Sequence, residues 1–135
     1  MSESPRPRHY IESFPSNQPE LRNRRGKLGQ QPRIDPSCRI LDSYLGEWTD
    51  LMANCTLIES SLGDYSYAAG HVSMIYASVG KFCSIASYVR INPGNHPMDR
   101  VTQHHLTYRR VCCGFDQSGE KTFFQWRRGL RCSVA

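Results

Sequence analysis

Aliphatic residues recur along this chain at a spacing that neither a helix nor an ordinary strand produces. Leu28, Leu45, Leu62 and Val79 stand 17 residues apart, and each precedes a glycine. Two further rows share the period: Ile34, Leu51, Ala68 and Ile85, then Ile40, Leu57, Met74 and Ile91. Each repeat thus divides into steps of 6, 6 and 5 residues, and eleven of the twelve sites are Leu, Ile, Val or Met. An amphipathic helix needs apolar residues at i, i+3, i+4 and i+7, which these steps do not supply. Two residues before each aliphatic site stands a small or compact one, as in Cys38, Thr49, Cys55, Ser60, Ser66 and Ala77.

Both rows follow from a triangular coil of short strands. Side chains alternate along a strand, so sites two apart face the same way. The aliphatic group fills a narrow prism, and only a small group fits beside it near the corner. Each coil is a rung about 4.8 Å thick that cannot bury its core alone, so stacking must stabilise it. The pattern predicts an all-β chain: a single-stranded parallel β-helix of about four coils over residues 28–91, followed by a long irregular excursion. The glycine row calls for either positive φ or close backbone approach at one corner. Trp48, Tyr65 and Phe82 form an outward aromatic row, read as inter-subunit packing in preference to a ligand platform.

The remaining chain lacks the repeat. Residues 1–27 are rich in Pro, Arg, Ser and Asn and read as a flexible basic arm, with a short helix near Glu20–Arg25. Asn92-Pro93-Gly94-Asn95-His96-Pro97 is a loop by composition. It opens the excursion 92–131, where Tyr108, Phe115, Phe123, Phe124 and Trp126 provide apolar surface for packing. Residues 132–135 read as the start of a return to the β-helix, at which the repeat is cut short.

The net charge of +5 is concentrated in the arm and in 109–131. Without an aromatic-basic motif it is read as solubilising surface, with no nucleic-acid partner. No apolar run reaches membrane-spanning length and no secretory h-region is present, so the expectation is a cytoplasmic chain without a membrane partner. Cys38 and Cys55 are one period apart and no C-x-x-C pair occurs. The cysteines are therefore read as small reduced residues, and Cys112-Cys113 as an unactivated pair.

The repeat, ending in Ile-Asn-Pro-Gly-Asn-His-Pro-Met-Asp, resembles the hexapeptide-repeat acyltransferases with a left-handed β-helix, most of all the xenobiotic acetyltransferase branch. Leu45-Gly-Glu-Trp-Thr, Gly80-Lys-Phe-Cys-Ser-Ile and Asn92-Pro-Gly-Asn-His-Pro-Met are similar to a subgroup encoded with phosphonate-utilisation genes. The resemblance covers residues 28–131. It implies a homotrimer, acetyl-CoA as acyl donor between adjacent prisms, and transfer to a hydroxyl or amine of a small molecule. His96 falls on the position of the family's catalytic histidine, with Asn95 and Asp99 as candidates to orient it. CoA-binding residues are not assigned, and no metal is expected.

Family members return to the prism for further coils beyond the loop, and this sequence stops there. An incomplete donor site is expected, and with it an alternative: a catalytically impaired, truncated homologue or an interaction module. A zinc-dependent β-helix enzyme is a minor alternative. His71, His96, His104 and His105 lack the spacing that would place three ligands together.

Overall fold

The computed structural model describes residues 26–135. The expected arm lies almost wholly outside them, as does its short helix. Among the described residues twelve strands form three parallel four-stranded sheets. The first sheet holds β1 (Arg33–Ile34), β4 (Asp50–Leu51), β7 (Tyr67–Ala68) and β10 (Ser84–Ile85). The second holds β2 (Arg39–Leu41), β5 (Thr56–Ile58), β8 (Ser73–Ile75) and β11 (Arg90–Ile91). The third holds β3 (Tyr44–Leu45), β6 (Ser61–Leu62), β9 (Ala77–Val79) and β12 (Cys132–Val134). Within the repeat every partner lies 17 residues away, as in Leu51↔Ala68 and Leu57↔Met74. The fold is a parallel β-helix.

Burial follows the two rows. Leu51, Leu57, Leu62, Ala68 and Met74 are buried at the centre, with Thr49, Cys55, Ser60 and Ser66 buried beside them. The buried hydroxyls are all hydrogen-bonded, which is what makes them tolerable there: Thr49 Oγ1 donates to Gly46 O within its own coil at 2.8 Å, and the two serines also accept from the next rung. Ser60 Oγ accepts from Ala77 N at 3.1 Å and donates to Ile58 O at 2.8 Å. Ser66 Oγ accepts from Cys83 N at 2.9 Å and donates to Gly80 O at 2.8 Å. Ile34 and Ile40, in the first described coil, are 43% and 38% exposed; among the described residues their strands pair on one side only, with the next coil. All six cysteines are free.

Corners are turned by residues in the left-handed region, and these are not the glycines. Positive φ occurs at Trp48, Tyr65 and Phe82, at Asn54, His71 and Tyr88, and at Asp42, Glu59 and Tyr76. Bulky residues rarely adopt this conformation, at a cost of about 1–2 kcal/mol each. Ring stacking offsets part of it. Trp48–Tyr65 and Tyr65–Phe82 stack at 6.4 and 5.0 Å, and His71–Tyr88 at 4.8 Å. The glycine row serves close approach instead. A Cβ at Gly63 would lie 2.6 Å from the backbone of Gly80.

The coil breaks where proline occupies a corner. One period after Tyr76 stands Pro93, whose ring holds φ near −65° and forbids the left-handed turn. The positive φ falls one residue early, on Asn92, and the chain leaves the prism. The excursion contains two 3-10 turns, His105–Thr107 and Arg110–Cys113, and one helix, α1 (Lys121–Gly129). It re-enters as β12, with Val134 opposite Val79, where the next coil would have placed its strand. Among the described residues no helix is long and apolar enough to cross a membrane.

Candidate functional site

His96 follows the break in the coil. Gly94, two residues before it, has φ +92°, a value available to glycine and strained for other residues. Pro97, after it, is buried, while His96 itself is exposed. The ring is held from one side. Nδ1 lies 3.2 Å from the carbonyl oxygen of Gln103 and 3.3 Å from Tyr108 Oη. A carbonyl only accepts, so the Gln103 contact requires the proton on Nδ1. In that tautomer Nε2 carries a lone pair. Nε2 has no hydrogen-bond partner among the described residues, so it is the nitrogen available for proton transfer.

Tyr108 fixes this arrangement. It is fully buried in the excursion's own core, 4.3 Å from Phe123 and 5.5 Å from His105 between ring centroids. Phe123 is brought there by α1, whose last turn carries Arg127 and Arg128, favourably placed for a helix C-terminus. Arg128 pairs with Glu59 at a prism corner, at 2.6 Å. Arg100 pairs with Glu120 through both terminal guanidinium nitrogens, and Nη1 also donates to the Thr107 carbonyl. That hydrogen-bonded guanidinium holds the Glu120 carboxyl below its ordinary pKa.

The two expected supports stand elsewhere. Asn95 contributes its backbone carbonyl, which accepts from Arg127 Nε at 2.9 Å. No hydrogen bond joins Asp99 to His96, and the Asp99 charge acts on neighbouring Arg100. The ring is oriented by Gln103 and Tyr108, which sequence reasoning did not single out. A backbone carbonyl leaves no trace in residue identity, and Tyr108 was legible only as apolar surface. His104 accepts from Leu106 N at 3.1 Å as the cap of a 3-10 turn. Cys112 and Cys113 are exposed, and neither thiol forms a hydrogen bond among the described residues. Among those residues no three His, Cys, Asp or Glu side chains converge to hold a metal ion.

Two sizeable clefts do not include His96 in their lining. One of about 830 Å³ is lined by excursion residues including Arg100, Thr107, Arg110, Phe115 and Glu120. Another, of about 540 Å³, runs along the prism past Arg33, Asp50, His71 and Tyr88. No protein-family model, curated protein or solved structure matches the chain.

Proposed function

We propose that the chain is an acetyltransferase of the hexapeptide-repeat kind, with His96 as general base. The observation that carries this reading is the ring's tethering through Nδ1 with Nε2 left open. A base must hold its lone pair toward the acceptor at a pH where it is unprotonated, and imidazole suits that task. In the proposed reaction, Nε2 takes the proton from the acceptor hydroxyl or amine as that atom bonds to the thioester carbonyl carbon of acetyl-CoA. The tetrahedral intermediate expels the CoA thiolate, which recovers the proton from the imidazolium. No acyl-enzyme forms. Gln103 and Tyr108 keep the ring in the required tautomer.

The left-handed coil, the homotrimer and the cytoplasmic setting belong to the same proposal. Acetyl-CoA then lies between neighbouring prisms, where a second chain supplies the wall that one chain lacks beside His96. The test is thiol release from acetyl-CoA against a panel of small amines and alcohols. The intact protein releases CoA in an acceptor-dependent way, and His96→Ala does not. A second reading, a non-catalytic interaction module, is favoured by the position of the two clefts, neither of which includes His96. It requires that acetyl-CoA not bind at equilibrium, which calorimetry on the same preparation reads directly.

A further inference from the structure

The geometry points to Arg127 as the residue that positions His96, through simultaneous grip on the two segments that flank the ring. One grip is on the loop: Nε donates to the Asn95 carbonyl at 2.9 Å, on the peptide immediately before His96. The same guanidinium lies against Gly94, where an added Cβ would come within 3.1 Å of Nε and 3.2 Å of Cζ. The other grip is on the anchor: Cζ stands 5.7 Å from the centre of the Tyr108 ring and 5.4 Å from that of Phe123. Both are within cation–π range. Tyr108 in turn reaches His96 Nδ1 at 3.3 Å.

These contacts form a closed circuit. The chain from Asn95 to His96 to Tyr108 is spanned by one side chain, so the loop and the anchor cannot drift apart independently. Arg127 is itself fixed from behind, because it belongs to α1 and its neighbour Arg128 is paired with Glu59 on the prism. A planar guanidinium can donate along its edge while its face meets an aromatic ring, which an ammonium cannot do. The glycine at position 94 gives that plane room. Arg127 thereby transmits the rigid frame of the β-helix to a histidine that is otherwise exposed. That the positioned ring serves catalysis rests on the acetyl-transfer reading, whereas the positioning itself does not.

The test reads the histidine directly. Long-range ¹H–¹⁵N spectra of the full chain, recorded where the imidazole is neutral, distinguish a protonated Nδ1 from a bare Nε2. In the unaltered protein His96 shows one nitrogen of each kind. In Arg127→Ala the two resonances move toward each other as the tautomers average. Arg127→Met retains an unbranched stem for packing against Phe123 and removes the donor, so it shows the same convergence should Arg127→Ala fail to fold. Arg127→Lys, which restores a charge and a donor, keeps more of the separation than either. The matching kinetic expectation is a fall in kcat of about 10²-fold with KM unchanged, as for a reacting group held loosely. An unchanged separation in folded Arg127→Ala or Arg127→Met overturns the positioning role, whatever the activity. His96→Ala tests acetyl transfer separately, and its result leaves the spectra of the Arg127 variants standing.

Discussion

Asn92 donates from Nδ2 to the carbonyl of Leu130 at 2.8 Å, so the residue at which the chain leaves the prism is bonded to the place where it comes back. A second, longer contact from the same nitrogen reaches Tyr76 O at 3.4 Å. The excursion is thus closed at its base by one side chain, which also supplies the left-handed turn that Pro93 cannot.

Asn92→Ala should therefore loosen the excursion without unfolding the prism. It removes a hydrogen bond worth about 1 kcal/mol and places alanine at a positive φ it tolerates poorly. Amide exchange in α1 and β12 should accelerate, while that of Leu57 and Met74 stays slow. Equal acceleration in both regions would show that the excursion and prism open as one unit.

The register of the core is tested by a pair of carboxylate changes. Leu57 is fully buried, and Leu57→Asp places an unpaired charge among apolar groups, which is prohibitive; the fold should be lost. Asp64 faces outward, pairs with Lys81 at 2.6 Å and accepts from Glu47 N at 3.0 Å. Asp64→Asn keeps an acceptor for that N–H and loses only a half-exposed ion pair, a change of about 0–1 kcal/mol. Circular dichroism melts should separate the two variants completely.

Close backbone approach gives a sharper contrast between glycines. Gly63→Ala brings a methyl group to 2.6 Å from Gly80 C and O, atoms that cannot swing away. It should cost about 1–3 kcal/mol, as overpacking does. Gly29→Ala meets nothing within 4 Å and should leave the denaturation midpoint unchanged.

Acid should loosen the excursion. Glu120 titrates below its ordinary range because Arg100 hydrogen-bonds the carboxylate. A carboxyl depressed on folding contributes stability that is present above its unfolded pKa, about 4.3, and is lost as pH falls through the lower folded value. Lowering the pH through this window should change the fluorescence of Trp126. Glu120→Gln removes the titrating carboxyl, so its excursion should be loosened already at neutral pH and this acid-dependent change should be absent. The same acid-dependent change in Glu120→Gln would contradict the assignment to Glu120.

Much of the fold was legible because a β-helix repeats one environment every 17 residues, so Leu57 and Met74 report the same pocket twice. The corners were less so. Trp48, Tyr65 and Phe82 were read as outward, and they are, but their left-handed backbone and mutual stacking are properties of the stack and not of any one coil. The glycines left two readings open, and Gly63 decides for close approach. Of the candidate site, only His96 is marked in the sequence. Its supports come from an excursion without periodicity, through a backbone carbonyl at Gln103 and a tyrosine buried by a nine-residue helix. Asn95 and Asp99 lie near His96 in sequence, and neither side chain hydrogen-bonds the ring.

The proposed role of the open Nε2 of His96 is base chemistry on an acyl acceptor. Acceptor-dependent release of CoA from acetyl-CoA, compared among the unaltered protein, His96→Ala and His104→Ala, tests it most directly. His96→Ala should lower the rate about 10²–10⁴-fold, as loss of a general base does, and His104→Ala, which removes a turn cap, should change it little. Equal rates in the unaltered protein and His96→Ala, or no acetyl transfer to any acceptor, would contradict it.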